Sequence, residues 1–318
     1  AAQWEYEHRK MILQLKRIYP DIEDKLFRAY TRQICNFAFP RDNPRPNTYS
    51  SEGKKQYLLK LKQTIENFPD EVLIDNLEDY SPKYHRILEQ IMKTEGLVLM
   101  YSNYISAEGI GIFEQVLLRN GFTKFDPENK PKIEVGKVVR VQTGEYTWIT
   151  TKITEIDDET NEVTIENIDE KYRFNKKTNK FIRNDDIGLA TYTLFTGGED
   201  TETRQKSIDS FNERPNRYGK DILIFMITQA GAEGISLKNV REVHLLEPHW
   251  NKVRTEQAIG RARRIRSHHA LPKHQQNVTV YEYLMKFTSV YKATTLTQLH
   301  RFVNKDDYFK NNQDPKLE

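Results

Sequence analysis

The stretch TEQAIGRARRIRSHH, residues 255–269, puts four arginines into six positions directly behind a glycine. Neighbouring like charges on a helix repel by a few tenths of a kcal/mol per pair, so such crowding needs either open solvent or an anionic ligand. Within the stretch, Gln257, Gly260, Arg261 and Arg264 form the spacing Q-x-x-G-R-x-x-R. Three residues apart on a helix, Arg261 and Arg264 leave the same face. Two permanently charged planar forks there suit a triphosphate or its transition state, and Gly260 removes a side chain beside them. Taken alone, an arginine run reads as a solvated basic face. A glycine loop and a strand ahead of it, in that order, favour the phosphate. Residues 254–274 hold six Lys/Arg against one acid, which fits a rim turned towards phosphate. His268, His269 and His274 beside Lys273 lack Cys or carboxylate companions and read as a solvated loop; no metal is assigned to this chain's own residues.

Two segments upstream could serve the same ligand. ITQAGAEGISL, residues 227–237, ends a strand and opens a glycine loop whose backbone N–H groups can approach phosphate or sugar. Many α/β proteins carry such a junction, so by itself it specifies little. EVHLLEPHWN closes on Trp250 just before a helix start at Asn251, and a Trp in that place reads first as a core anchor.

These segments sit in an alternating rhythm. SPKYHRILEQIMK opens with Ser81 as N-cap and Pro82 at the first helical position, with Tyr84, Ile87, Leu88 and Ile91 as one apolar stripe. Strands are predicted at 96–101, 191–195, 221–227, 242–247 and 277–285, and helices at 202–212 and about 251–264. The helix in ISAEGIGIFEQVLLRNGF is predicted to bury Ile105, Ile112, Phe113, Val116 and Leu117. Such alternation indicates an α/β fold with a parallel sheet covered by helices on both faces, where ligands collect at the carboxyl ends of the strands. Residues 1–39 and about 53–67 read as a helical extension, broken by the proline-rich FPRDNPRPNTYSSEG. Residues 132–186 break the rhythm: their apolar–polar alternation, with turns at Thr143–Gly144 and Asp157–Asn161, predicts four or five antiparallel strands curled into a small barrel. Trp148, Ile153 and Ile165 are its candidate core, and as an independent insertion it is expected to be removable without harm to the parent sheet. Its ten Lys/Arg against twelve Asp/Glu are unlike a basic nucleic-acid barrel, so it reads as stiffening decoration or a protein-docking module.

Composition limits the rest. The 318 residues are 30% charged with a net charge of only +3 and a mean hydropathy of −0.77, so local clusters say more about partners than global charge. One cysteine, Cys35, excludes an internal disulfide and suits a reducing, intracellular compartment. No run is long and apolar enough to span a membrane. The start, AAQWEYEHRK, has neither an initiator Met nor an apolar signal core and reads as cut from a longer polypeptide.

The succession LVLMYSNY, YTLFTGG, RQKSIDSFN, ITQAGAEGISL, LLEPHWN and QAIGRARR resembles the second RecA-like lobe of superfamily 2 helicases and translocases. It is most similar to the Swi/Snf-like branch, and in flavour to the ATPases of large DNA viruses, of the poxvirus early-transcription-factor type. RQICNFAFP, residues 32–40, is similar to that viral group too. The resemblance covers roughly 81–122 and 190–290. It implies residues 1–80 as an extension from a first lobe, 81–125 with 187–305 as the RecA-like lobe, 126–186 as the inserted β unit and 306–318 as a polar tail. It further implies that Gly234, Gln257, Arg261 and Arg264 face ATP, with both arginines acting as fingers on the γ-phosphate. The ATP and its Mg²⁺ would be held mainly by the first lobe, in the same polypeptide. Tyr101, Ser102, Thr196, Gly197 and Thr228 would line a DNA or RNA backbone path. Glycine at 260, where Swi/Snf proteins have an acidic residue, favours the viral or general helicase pattern.

This sequence contains no G-x-x-x-x-G-K-[S/T] loop and no acidic magnesium box, and a two-lobe ATPase needs both. The 318 residues by themselves are therefore expected not to hydrolyse ATP. The resulting expectation is the C-terminal motor lobe of a viral transcription helicase or translocase, intracellular, in a viral factory or virion, with a possible protein partner on 132–186 and no membrane. Its rivals are a binding module that kept a helicase-like fold without catalysis, and a nucleotide-sugar transferase, which has no need of the arginine spacing.

Overall fold

Six strands form one wholly parallel sheet: β1 (Leu97–Ser102), β2 (Thr123–Lys124), β8 (Thr191–Phe195), β9 (Ile224–Thr228), β10 (Val240–Leu245) and β11 (Thr279–Glu282), in the order β11-β10-β1-β9-β8-β2. This computed structural model describes residues 33, 35–46, 53–106, 108–129, 131–166, 180–182, 187–197, 200–228, 234–247 and 252–284. Of the predicted helical stretch over 1–39, residues 1–32 and 34 lie outside them, as do Trp250, Asn251 and the polar tail; its described end, residues 35–39, is a turn and extended chain rather than helix.

The central strand β1 is buried along its whole length, and its side chains alternate between two cores. Val98 and Met100 join Tyr192, Ile224 and Met226 against α1 (Gly53–Glu66), α3 (Pro82–Lys93) and α4 (Ile110–Arg119). Leu97, Leu99 and Tyr101 join Phe225, Ile227 and Val243 against α5 (Thr201–Asn212) and α6 (Lys252–Ala262). The one-turn α2 (Leu77–Tyr80) precedes α3. Each of these apolar side chains gains about 1.5–3 kcal/mol by leaving water, which fixes strand orientation and helix facing together. Ser81 caps α3 as its position predicts, accepting from the Tyr84 N–H at 3.0 Å.

A second, antiparallel sheet follows β2: β3 (Val138–Gly144), β4 (Thr147–Asp157), β5 (Glu162–Ile165), β6 (Lys180–Ile182) and β7 (Ile187–Leu189), in the order β6-β5-β4-β3-β7. The turn expected at Thr143–Gly144 falls two residues later, at Glu145–Tyr146, because both predicted residues still belong to β3. The turn expected at Asp157–Asn161 is present, with Asp157 accepting from the N–H groups of Glu159 and Thr160 and Asn161 at a left-handed φ of 60°.

Three local expectations are corrected. Helix α4 starts only at Ile110, because Ile110 N and Gly111 N are claimed by the carbonyls of Tyr104 and Ile105 in the preceding turn; Ile105 stays 48% exposed. Helix α6 ends at Ala262, so Arg264 stands beyond it. Trp148 does not join Ile153 and Ile165 in the small core. It packs instead on Tyr218 and Leu271, stacked on the Tyr218 ring at 6.3 Å.

Through that outward packing and through Arg140, the second sheet is joined to Tyr218, Leu271 and Thr94. Arg140 is fully buried; its Nε and Nη2 donate to the Tyr218 carbonyl at 3.0 and 2.8 Å, and its Nη1 to Thr94 O and Thr150 Oγ1 at 2.8 and 2.9 Å. Burial pushes its pKa down to about 9, against the smaller pull of Glu242 and Glu95.

Candidate functional site

Gln257 and Gly260 lie exposed on α6, Arg261 half-buried beside them, and Arg264 exposed just past its end. What stops the helix is tertiary. Its terminal carbonyls, which have no intrahelical donor, are taken by other segments: Leu237 N donates to Arg261 O at 3.1 Å, and the Ser267 hydroxyl lies 3.2 Å from Ala262 O. Asn239 N then holds Ser267 O at 2.9 Å, tying the turn after the helix to the start of β10. The same docking sets the arginines. Arg264 Nη2 donates to Ile235 O at 3.0 Å, which brings its guanidinium to the residue after Gly234. Gly234 adopts φ +79°, a conformation that needs glycine, and a side chain there would meet nothing within 4 Å. Space beside Gly260 is equally open. Arg261 Nε is buried with no hydrogen-bond partner among the described residues. An unspent cationic donor beside open space is the state of a site that fits an anion. Among the described residues, no cluster of three or more His, Cys, Asp or Glu is placed to hold a metal.

His268 is no solvated histidine. Its Nε2 lies 2.6 Å from Val240 O and its Nδ1 2.8 Å from Ser267 Oγ, so it pins the arginine-bearing turn to the sheet. His269 and His274 are not drawn in this way.

The five residues expected along a nucleic-acid path divide. Thr196 and Gly197 emerge at the carboxyl end of β8, half-buried and exposed respectively. Tyr101, Ser102 and Thr228 are buried at 3%, 0% and 2% exposure, with side chains turned to the protein. Thr228 Oγ1 donates to Thr196 O at 3.3 Å, and the Tyr101 hydroxyl donates to Asn103 Oδ1 at 3.1 Å. Ser102 Oγ donates to Glu247 Oε1 at 2.8 Å.

Glu247 is the residue that sequence reasoning missed. Buried just after β10, its carboxylate also accepts from Asn103 N at 2.9 Å and Asn36 Nδ2 at 2.6 Å. Asn36 Oδ1 accepts from the buried Lys83 Nζ at 2.7 Å, and Lys83 reaches Leu246 O at 2.9 Å. Burial pushes the Glu247 pKa up despite these donors, and pushes the Lys83 pKa down. The only signal available in the sequence was an acid in an otherwise apolar strand end, LLEPHW. Nearby, the buried Glu108 pairs with the half-buried Arg45 at 3.0 Å. Residue 36, from the segment before α1, is thereby stitched to the carboxyl ends of β1 and β10, and residue 45 to the turn before α4.

The family model described as "Helicase conserved C-terminal domain" matches residues 152–266, from within β4 to past Arg264. That span includes Thr196, Gly197, Thr228, Gly234, Gln257, Arg261 and Arg264, and leaves out Tyr101 and Ser102. A putative ATP-dependent RNA helicase of Acanthamoeba polyphaga mimivirus, R350, is 28% identical over 82% of this chain and 34% of its own length. A second from the same virus, R563, is 26% identical over 80% of this chain and 32% of its own. A "Termination factor NPH-I homolog" of African swine fever virus is 28% identical over 71% of this chain and 28% of its own. This chain thus spans about a third of the length of these relatives. Among solved structures, the C-terminal part of the Fun30 ATPase domain matches over 95% of this chain and 91% of that one, at 15% identity and a TM-score of 0.40. Among the described residues no helix is long and apolar enough to cross a membrane.

Proposed function

We propose that this chain, which carries a helicase C-terminal domain, is the second motor lobe of an ATP-dependent nucleic-acid helicase or translocase that works in viral transcription. The observation that carries the proposal is the docking of Arg264 on the Gly234–Ile235 loop, with the Arg261 Nε buried and unspent beside the open flank of Gly260. ATP with Mg²⁺, when bound by a first lobe of the same polypeptide, supplies the phosphoanhydride to be broken. The work of this chain is to hold two guanidinium groups where charge accumulates on the γ-phosphate, with Gln257 and Gly234 at the same face. Preset donors of this kind lower a barrier because they need not reorganise as the charge develops.

Thr196 and Gly197 meet the nucleic-acid backbone, DNA or RNA, in this reading. The buried Tyr101, Ser102 and Thr228 hold the loops that do so. A shift of the two lobes about ATP then moves these loops along one strand. The names of the mimiviral and African swine fever relatives support helicase activity and a place in viral transcription.

Arginine fingers contribute roughly 10³-fold or more to phosphoryl transfer. In the full-length polypeptide that contains this chain, Arg264→Ala is therefore expected to slow nucleic-acid-stimulated ATP hydrolysis by about 10³-fold, with Arg261→Ala comparable. Unfolding midpoints should barely move, since Arg264 is exposed. Near-normal turnover by both variants would reduce the arginines to a solvated basic face.

A further inference from the structure

The turn that carries Arg264 and Arg266 is held at two ends. Its near end is pinned to the parallel sheet through Ser267 and His268, as above. Its far end leans on the second sheet: Leu271 packs against Trp148 of β4 and against Tyr218. Both ends of the Gln275 amide hydrogen-bond to the same region. Its Oε1 accepts from the Tyr218 hydroxyl at 3.1 Å, and its Nε2 donates to Tyr146 O, in the β3–β4 turn, at 3.1 Å. Tyr218 is in turn fixed from below by the two Arg140 bonds to its carbonyl.

Immediately ahead of the near anchor the backbone is under strain. Arg266 adopts φ 61°, a left-handed conformation that costs a non-glycine residue roughly 1 kcal/mol or more. Such a conformation persists only where the surroundings over-determine it. Its carbonyl is also taken, by His269 Nδ1 at 2.7 Å.

We propose that the β3–β4 hairpin is a brace for the arginine-bearing turn, and that Gln275 and Tyr218 are positioning residues for Arg264. This deepens the assignment of the arginines to ATP and rests on it. A guanidinium displaced by about 1 Å can lose of the order of 10²-fold in rate, so a brace remote from the phosphate has leverage on the chemistry. The second sheet then belongs to the machinery of hydrolysis through its contact with residues 271 and 275, whatever else binds its outer surface.

The test uses the full-length polypeptide, with Gln275→Ala and Tyr218→Phe made separately in the parent and in Arg264→Ala. Tyr218→Phe keeps the ring stacked on Trp148 and removes only the hydroxyl. Each is expected to lower kcat about tenfold with the KM for ATP little changed. Neither should lower kcat further once Arg264 is alanine, because a positioning residue acts through the group it positions. Amide hydrogen exchange should quicken over residues 264–271 and stay unchanged in the parallel sheet. If Arg264→Ala cripples hydrolysis while both variants turn over normally, the brace is overturned and the finger assignment survives. Equal losses in both backgrounds would overturn it as well, placing the effect elsewhere. If Arg264→Ala itself is near normal, the finger assignment falls. Exchange then decides the brace alone: faster over 264–271 upholds it, and unchanged overturns it.

Discussion

Glu247 takes four donor groups from three residues onto one buried carboxylate, yet burial still wins and its pKa is raised above the ordinary 4.5. A carboxyl whose folded pKa is raised contributes stability that is complete below its unfolded pKa and is lost as pH rises through its folded one. Glutamine at that place has no proton to lose. The stability of Glu247→Gln relative to the parent is therefore expected to improve as pH is raised from about 4.5 towards neutrality. Urea unfolding of both proteins across that range checks it, and a flat difference would mean that the carboxyl titrates as if in water. At this scale spacing alone singled out Arg261, Arg264 and Gly234, and the structure sets Arg264 on the carbonyl of Ile235, next to Gly234. It was opaque where a residue's role depends on partners distant in the chain: nothing in SNY shows that Ser102 turns inward to an acid in LLEPHW.

Elements show the same division. Strands announced themselves as apolar runs, and the cap at Ser81 as a local pattern. The end of α6 did not, because RARRIR, after Gly260, holds no helix breaker, and the helix stops where Leu237, Asn239 and Ser267 claim the turn. The joint between the two sheets was equally hidden, since an arginine in KVVRVQ reads as the solvent-facing member of an alternating strand. Arg140 instead spends its guanidinium on Tyr218 O, Thr94 O and Thr150 Oγ1. Arg140→Ala strands these acceptors in the interior, at a cost of about 1–3 kcal/mol for each unsatisfied group. An overall loss of at least about 3 kcal/mol is expected in urea unfolding. Arg140→Lys keeps the charge and loses the fork, so it should recover less than half of that. A loss below about 1 kcal/mol for the alanine variant would show that the two sheets are joined by apolar packing alone.

For the molecule as a whole, a net charge of +3 conceals an uneven surface, with Arg263, Arg264 and Arg266 all exposed at one corner. In the proposed function, contacts through such a rim, Thr196 and Gly197 would reach phosphate and sugar, which carry no direct sequence information. The 318-residue chain is expected to bind single strands weakly and alike in every sequence, with affinity that falls steeply as salt rises. Fluorescence anisotropy at several salt concentrations measures this, and tight, salt-insensitive binding to one sequence would contradict it. The parallel sheet itself carries a consequence for the making of the protein. Its middle strand, β1, is apolar on both faces, yet it pairs only with strands made much later: Leu99 meets Phe225 of β9 and Val243 of β10. As the chain leaves the ribosome, the β3–β4 hairpin can close on neighbours already made, whereas β1 must wait through the synthesis of the whole second sheet. During that interval β1 is a naked adhesive strand, and a nascent chain of this design is one that a chaperone has to meet.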